Sequence, residues 1–300
     1  MVVPSFNLAR FLPNTLDSIL EQDHQHFEII VVDGASTDGS VDILRAYSAR
    51  HPQVRWISEP DEGPADAVNK GLALTRGVYI GIQNADDVYR PGALTAAVRA
   101  FRDNPGCSFI YGDVEFIDAV ATLRRTRRFP DFSWSAFLAW SCTFAQSSIF
   151  FRQSAMQKIG GWNPNYYSCD LDYWLRLAFL APPVHVPAVL SGWRLHAGQR
   201  TRPEQYRRIC ADYGRMIRES PEMQRSSRRL RRWARASHHL LMVRFPPEAG
   251  AWKKLLNVAI GIGLHPAALR YNPWQRFARA LPGARSLRAL RHRKAGSPDQ

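Results

Sequence analysis

The clearest candidates for chemistry are two adjacent carboxylates, Asp86 and Asp87, in the segment NADDVYRPGAL (84–94). They follow an apolar run and precede a Pro-Gly turn, a pattern typical of the end of a strand. Left alone, two such neighbours would repel each other and raise the pKa of one carboxyl group. Mg²⁺ or Mn²⁺ would relieve that repulsion, since these ions bind carboxylate oxygens and complete their shell with water and phosphate. The alternative is an ordinary acidic turn that caps the next helix.

A third carboxylate, Asp33, closes the apolar run FEIIVVD (27–33) and precedes the turn residues GASTDGS. A carboxylate at the end of a buried strand suits a contact to a ribose or a base. The alternative is a strand-to-helix turn in which Asp38 or Ser40 is the N-cap. That alternative explains Asp38 better than Asp33, because Asp33 belongs to the strand itself.

Strand and helix patterns alternate through the first 120 residues. The predicted strands are 27–33, 77–87 and 107–118, and the predicted helices are 12–22, 39–50, 65–74 and 92–101. Such alternation predicts an α/β fold with a mostly parallel sheet. Ligands bind beyond the carboxyl ends of strands in such sheets, so Asp33 and the Asp86–Asp87 pair are expected at one edge.

The last third of the chain has helical patterns and is strongly basic. Residues 201–300 carry 22 Lys and Arg against 6 Asp and Glu, whereas residues 1–200 carry 18 against 20. Within 227–241, Leu and Trp form one stripe and arginines cover most of the rest, as in a basic amphipathic helix. This helix could lie on an anionic membrane surface, or its stripe could pack on the protein. We divide the chain into a domain of residues 1–200 and a basic helical extension of residues 201–300.

Composition disfavours several classes of protein. The four cysteines lie far apart without a CxxC pair, which argues against a zinc cluster or a disulfide framework and fits a reducing cytosol. The start, MVVPSFN, does not have the pattern of a signal peptide, and no apolar run is long enough for a membrane-spanning helix. The basic end has no zinc-finger, RRM or KH signature, so no nucleic-acid partner is expected.

An ordered set of motifs resembles the family 2 glycosyltransferases of the GT-A fold, in particular those of bacterial surface-polysaccharide synthesis. The resemblance covers roughly residues 1–200. The motifs are PSFN (4–7), VVDGASTD (31–38), DEGPADAVNKGL (61–72), QNADD (83–87), IGGW (159–162), DLDYWLRL (170–177) and WRLHAGQ (193–199).

The resemblance implies a role for each matching residue. Phe6 would stack on the nucleotide base and Asp33 would hydrogen-bond it, commonly a uracil. Asp87 would be the principal ligand of a Mn²⁺ or Mg²⁺ ion that bridges the diphosphate, and Asp86 would be a second ligand or a ribose contact. Asp170 would be the general base. The implied nucleotide-sugar contacts are Pro4, Phe6, Asn7, Asp33, Asp66, Asn69, Lys70, Asp86, Arg194 and His196.

Three positions depart from the family pattern: Val32, Asn84 and Cys169 stand where acidic residues are common. Cys169 replaces the Glu that usually precedes the base, and Asp172 is a second acid two residues beyond Asp170. The family alignment favours Asp170, and residues i and i+2 do not share a helix face.

The resemblance implies a cytoplasmic enzyme, peripheral on the inner face of the cell membrane. It would transfer a sugar from a nucleotide-sugar, with UDP as the expected nucleotide, to a glycan or lipid-linked glycan. One base without a second nucleophile implies a single displacement with inversion. A nucleotide-sugar-binding protein without activity is the rival interpretation.

Overall fold

The computed structural model describes residues 1–139, 144–244, 251–265 and 267. The chain forms two compact units, one of residues 1–132 and 142–216 and one of residues 133–141 and 217–300. The sequence-based division into domains 1–200 and 201–300 stays a prediction.

Strands and helices alternate along the first unit, as the sequence predicts, and helices dominate thereafter. The strands are β1 Val2–Ser5, β2 Ile29–Asp33, β3 Val54–Ser58, β4 Tyr79–Gly81, β5 Val88–Tyr89, β6 Phe109–Ile117, β7 Leu123–Arg127, β8 Ile149–Arg152 and β9 Val184–Arg194. The helices are α1 Leu12–Leu20, α2 Ser40–Arg50, α3 Pro64–Leu74, α4 Ala93–Asp103, α5 Trp134–Leu138, α6 Gln153–Ile159, α7 Cys169–Leu180, α8 Tyr206–Glu219, α9 Pro221–Arg225, α10 Arg228–Arg244 and α11 Ala251–Leu264.

The first sheet has the order β1-β2-β3 and is parallel throughout. Every residue of β2 is buried, because alternate side chains enter two different clusters. Ile29 and Val31 pack with residues of α1 and α2, and Ile30 and Val32 pack with Ala67 of α3. The predicted α/β class and the parallel sheet are therefore confirmed.

The second sheet has the order β4-β8-β6-β9-β5, with β7 paired to β6. Its pairing is mixed, since β6 and β9 run parallel and the other pairs are antiparallel. A parallel bridge between Val2 and Ile82 joins it to β1. Of the predicted strand 77–87 only β4 is a strand; the acidic pair occupies the turn that follows, and β5 begins directly after it.

The longest strand of the second sheet, β9, is absent from the sequence prediction. It contains Pro187, which lacks the N–H that a central strand needs. The structure accommodates this proline where the β6–β9 register shifts, near Gly112 and Asp113. The strand then runs on to Arg194, opposite Ile117 of β6.

The second unit contains α5, α9, α10 and α11. The apolar stripe predicted on α10 is buried at Trp233, Ala234, Leu240 and Leu241. Trp233 Nε1 donates to the Ser135 carbonyl at 3.1 Å, so the stripe packs inside this unit. Along the described ranges, no helix combines the length and the apolar character that crossing a bilayer requires.

Gly112 tests the packing that holds β9 against β6. A Cβ atom there would lie 2.3 Å from Leu190 Cγ and 2.9 Å from the Ala188 carbonyl oxygen, so Gly112→Ala requires β9 to shift. We expect the free energy of unfolding, measured by chemical denaturation, to fall by about 1–3 kcal/mol.

Gly106→Ala is the matched control, because a Cβ at Gly106 meets no atom within 4 Å. Its effect should stay within about 0.5 kcal/mol. Equal effects of the two substitutions would contradict the close approach of β6 and β9.

Candidate active site

The carboxyl ends of β1, β2 and β3 form the first part of the site. The parallel register places Ser5, Asp33 and Ser58 side by side. The buried Asp33 carboxylate accepts hydrogen bonds from the Ser58 hydroxyl at 2.7 Å, the Ser36 hydroxyl at 2.6 Å and the Ser36 N–H at 2.9 Å. Asp33 therefore lies at the predicted strand end and fixes the loop that follows it.

The loop after β1 holds an exposed aromatic ring beside the Asp33 loop. Phe6 is 60% exposed, and Pro4 lies half-buried in β1. Asn7 has φ 51°, a left-handed conformation that Asn tolerates. Its N–H donates to the Ser36 hydroxyl at 2.7 Å, and its side-chain oxygen accepts from the Thr37 N–H at 2.9 Å. These bonds fix the two loops together and leave the Phe6 ring accessible to a planar partner.

A carboxylate that the sequence prediction did not include lies next to Phe6. A Cβ on Gly34 would come within 2.5 Å of Asp61 Oδ2 and 3.2 Å of Phe6 Cδ2. Asp61 also accepts a hydrogen bond from the Gly63 N–H at 2.8 Å. The sequence feature that could have indicated Asp61 is its position as the first residue of the DEGPADAVNKGL motif.

Lys70 and Asp66 belong to a cluster of charges near the end of β3. Lys70 Nζ contacts Glu59 at 2.9 Å and Asp66 at 3.1 Å, and it donates to the Pro60 carbonyl at 3.0 Å. The hydrogen bond to Glu59 raises the pKa of Lys70. The Glu62 N–H and then Lys70 lower the pKa of Asp66. Both groups are therefore charged at neutral pH.

Asn69 contacts the backbone of the IGGW motif. Its Nδ2 donates to the Trp162 carbonyl at 2.9 Å, and its Oδ1 accepts from the Trp162 N–H at 2.7 Å. A Cβ on Gly161 would lie 2.3 Å from Asn69 Oδ1. The amide thus joins two segments 93 residues apart, which is a positioning contact.

The predicted acidic pair is split between a buried and a partly exposed carboxylate. Asp87 is 2% exposed, and its carboxylate accepts from the Arg194 N–H at 2.8 Å and from Asn84 Nδ2 at 3.1 Å. Burial, followed by the charge of Asp86, raises the pKa of Asp87 well above its usual range. Asp86 remains partly exposed, and its Oδ2 lies 2.9 Å from His196 Nε2.

Arg194, at the end of β9, clamps the turn that carries both acids. The buried guanidinium donates from Nε to the Asp86 carbonyl at 2.7 Å, from Nη1 to the Asp118 carbonyl at 3.2 Å and from Nη2 to Asn14 Oδ1 at 2.5 Å. Burial lowers its pKa, and Asp87 and Asp86 oppose that change. The buried guanidinium donates to three protein acceptors, an arrangement suited to positioning the turn, and the predicted nucleotide-sugar contact of Arg194 stays a prediction.

Asp86 and His196 present two metal-type donors side by side. Adjacent ligands of an octahedral ion with bonds of about 2.1 Å lie about 3 Å apart, so the 2.9 Å between Asp86 Oδ2 and His196 Nε2 fits two such positions. Among the described residues, no three His, Cys, Asp or Glu side chains are grouped to hold an ion by themselves. Mg²⁺ commonly takes one or two protein ligands and completes its shell with water and phosphate. The donor set fits an ion shared with a phosphorylated ligand.

Asp170 and Asp172 have different environments on α7. Burial raises the pKa of the half-buried Asp170 carboxyl, although the Leu171 N–H and the charge of Arg200 oppose the shift. Asp172 is buried and paired with Arg176 at 2.8 Å. Arg176 also donates to the Ile159 and Gly161 carbonyls. Asp172 therefore holds α7 against the IGGW segment, and Asp170 is the stronger candidate for a base.

Cys169 takes the position of the expected Glu and does not supply a second acid. Burial, with a further contribution from Asp170, raises the pKa of its thiol to about 11. The thiol is therefore neutral at physiological pH and adds no negative charge beside Asp170.

Comparison with known sequences identifies related proteins over the first two thirds of the chain. The profile described as Glycosyl transferase family 2 matches residues 1–164. Chondroitin synthase of Escherichia coli is 28% identical over 203 residues, which are 66% of this chain and 29% of that protein's length. The PGL/p-HBAD biosynthesis glycosyltransferase of Mycobacterium bovis is 30% identical over 184 residues, which are 59% of this chain and 68% of that protein.

Solved structures share the fold over most of the chain. Staphylococcus aureus TarS 1–349, in complex with UDP-GlcNAc, matches with a TM-score of 0.64 at 15% identity, covering 93% of this chain and 86% of that one. The mannosyltransferase PcManGT from Pyrobaculum calidifontis, in complex with GDP-Man and Mn²⁺, matches with a TM-score of 0.57 at 20% identity, covering 92% and 81%. At these identities the likeness concerns the fold alone.

Because Arg194 donates to three protein acceptors, we expect even the charge-conserving substitution Arg194→Lys to destabilise the fold. In Arg194→Lys one ammonium replaces a planar group that donates in three directions, so buried carbonyls lose their donors. We expect the free energy of unfolding to fall by about 2–4 kcal/mol in a denaturant titration.

Arg124→Lys changes an exposed arginine that pairs with Asp118 at 2.7 Å. Its cost should not exceed about 1 kcal/mol, the range of a surface ion pair. A comparable effect at both sites would show that the clamp does not stabilise the fold.

Proposed function

The chain belongs to glycosyl transferase family 2 and has the GT-A fold, and from that premise we propose that it transfers a sugar from a nucleotide-sugar to an acceptor hydroxyl with inversion. The observation that carries the proposal is that Asp86 Oδ2, on a turn held by Arg194, lies 2.9 Å from His196 Nε2. Asp86 lies in the turn after β4, and His196 follows β9. Val2 of β1, the strand that precedes Phe6, is bridged to Ile82 beside β4. Residues 1–200 would form the catalytic domain.

The donor would be a nucleoside diphosphate sugar, with UDP as the proposed nucleotide. The exposed Phe6 ring supports stacking on the base, and the Asp33 loop would contact the base edge or ribose through its polar groups. The solved relatives hold UDP-GlcNAc and GDP-Man, which supports the class of donor. Lys70 lies near the same strand ends and would contribute positive charge to the donor site. Pro4, Asn7 and Asp66 would also line this site.

Mn²⁺ or Mg²⁺ would be held by Asp86 and His196. The sequence prediction made Asp87 the principal ligand, but both of its carboxylate oxygens already accept hydrogen bonds from protein donors. We therefore propose that Asp86 takes that role and that Asp87 positions the turn. When bound, the ion would offset the charge of the departing diphosphate. PcManGT, which was solved with Mn²⁺, supports the choice of ion.

Asp170 would accept the proton of the acceptor hydroxyl. A raised pKa suits a general base, because the carboxylate is then a stronger proton acceptor. With one such carboxylate and no second nucleophile assigned, a single displacement and inversion follow. Asn69 and Asp172 would hold the segments around it through Trp162 and Arg176.

The acceptor would be a growing surface glycan, free or lipid-linked. The names of the chondroitin synthase and of the PGL/p-HBAD glycosyltransferase support this class of product. We place the enzyme in the cytoplasm, peripheral on the inner face of the membrane, and propose no nucleic-acid partner.

Metal dependence is the first test of this proposal. Excess EDTA should abolish release of the nucleoside diphosphate, and Mn²⁺ or Mg²⁺ should restore it. Asp86→Asn should raise the metal concentration needed for half-maximal activity by about tenfold or more, because one of two protein ligands loses its charge.

Asp42→Asn, an exposed carboxylate on α2, is the control and should leave that concentration unchanged. Full activity in EDTA would refute the metal assignment. An effect of Asp87→Asn on metal dependence without an effect of Asp86→Asn would return the ligand role to Asp87.

The assignment of the base gives a second test. Asp170→Asn should lower kcat by about 100-fold or more while leaving donor affinity nearly intact, because the amide cannot accept a proton. In the unsubstituted enzyme, kcat should fall as the pH drops through the pKa of Asp170. The raised pKa places this fall at a higher pH than for an ordinary aspartate.

Asp172→Asn is the matched change on the same helix. Because Asp172 is paired with Arg176 in a buried position, we expect Asp172→Asn to lower the free energy of unfolding by roughly 3 kcal/mol. It should reduce kcat much less than Asp170→Asn does. A mild effect of Asp170→Asn on kcat combined with a severe effect of Asp172→Asn would move the base by two residues.

A further inference from the structure

Helix α11, in the second unit, exposes a row of apolar side chains. Trp252 is 76% exposed and Leu256 is 49% exposed, and Leu255 and Ile262 are also open to solvent. Ala259 is exposed as well. The spacing of three or four residues places all five on one side of the helix.

The opposite side of α11 faces α10. Asn257 Oδ1 lies 2.8 Å from His239 Nδ1, and a Cβ on Gly261 would lie 3.0 Å from Leu240 Cγ. Asn257 and Gly261 are four residues apart, so they mark the inner face. Asn257 and Gly261 are thus turned inward and Trp252, Leu255, Leu256 and Ile262 outward, which reverses the usual pattern of a helix on a globular unit.

The stripe on α10 is not an equivalent surface. Its Trp233 ring lies 4.7 Å from the His265 ring and its indole N–H is bonded to the Ser135 carbonyl. Because protein covers this stripe, α10 cannot insert it into a membrane. The apolar surface offered by this pair of helices is therefore that of α11.

Positive charge accompanies this surface. Helices α10 and α11 carry six and two Lys or Arg residues and no Asp or Glu. Lys253 is exposed next to Trp252 on α11, and Arg232 Nε donates to the Leu264 carbonyl at the end of α11. Helices that lie in the headgroup region of anionic bilayers typically have an exposed face of Trp and Leu with Lys and Arg residues around it.

We propose that the outer face of α11 docks the protein on a membrane that contains anionic lipids. The helix has 14 residues, too few to cross a bilayer, so it lies in the plane of the surface. Trp252, Leu255, Leu256 and Ile262 enter the boundary between headgroups and acyl chains, and Lys253 contacts the headgroups. This docking is independent of the transfer chemistry proposed above.

Charge favours the lipid surface over two other occupants. A second copy of this chain would bring like charges together across the contact, which disfavours association. Residues 268–300 lie outside the described residues; their sequence carries eight Lys and Arg against one Asp, the same sign of charge as the helices beside this face. An anionic bilayer complements both the charge and the apolar row.

Vesicle binding tests the proposal with the full chain. The protein should bind phosphatidylcholine vesicles that contain phosphatidylglycerol and should bind pure phosphatidylcholine vesicles weakly. Leu256→Glu and Trp252→Glu should each reduce the affinity by about tenfold or more. Lys253→Gln should reduce it about fivefold, and only for the anionic vesicles.

Leu123→Glu is the matched control, because Leu123 is 52% exposed on β7 of the first unit. It should leave vesicle binding unchanged. Brominated lipids should quench tryptophan fluorescence in the unsubstituted protein and quench it less in Trp252→Phe. Release of the nucleoside diphosphate in solution should be equal in Leu256→Glu and the unsubstituted enzyme, which separates docking from catalysis.

Three results would overturn the proposal. The first is that the unsubstituted protein binds neither kind of vesicle. The second is that Leu256→Glu and Leu123→Glu have equal effects on binding. The third is a dimer that Leu256→Glu disperses in sedimentation while vesicle binding stays absent, which would assign the face to a second copy of the chain. Equal thermal midpoints in all variants would establish that the fold is intact.

Discussion

The Asp87 carboxylate is buried beside a second carboxylate, and such a charge costs several kcal/mol unless it is paired and hydrogen-bonded. The structure meets this requirement with the Arg194 N–H, with Asn84 and with the nearby guanidinium of Arg194. The guanidinium in turn bonds to Asn14 after the first loop and to the Asp118 carbonyl after β6. One buried charge therefore ties together four segments that are distant in sequence.

The same constraint determines which acid is available for chemistry. Because both Asp87 oxygens accept hydrogen bonds from protein donors, the turn is fixed, and Asp86 lies partly exposed next to His196. The proposed metal ligands are thus positioned by groups that need not touch a ligand themselves, which would lower the free-energy cost of binding a cation and a diphosphate. Asp172 and Asp170 differ in a similar way: Asp172 is paired with Arg176, and Asp170 is the carboxylate that we propose as the base.

Sequence patterns predicted the parallel part of the fold and the composition of the site. The run IIVVD is apolar on both faces, so it must be a buried strand, and helices between such strands require parallel connections. The second sheet was largely missed, because β9 is interrupted by Pro187 and β5 has only two residues. Asp33 and the acidic pair were found because they follow apolar runs, whereas Asp61 has no such context.

The amino-acid sequence by itself determined which residues could do chemistry, since residue type and motif order are local properties. It could not assign roles within the pairs Asp86–Asp87 and Asp170–Asp172, because burial and partners depend on residues far away in the chain. Arg194 lies 107 residues from Asp87, and no local pattern encodes that contact. The amphipathic pattern of α10 was visible in the sequence, but only tertiary packing decided that its apolar stripe is covered whereas the apolar row of α11 is exposed.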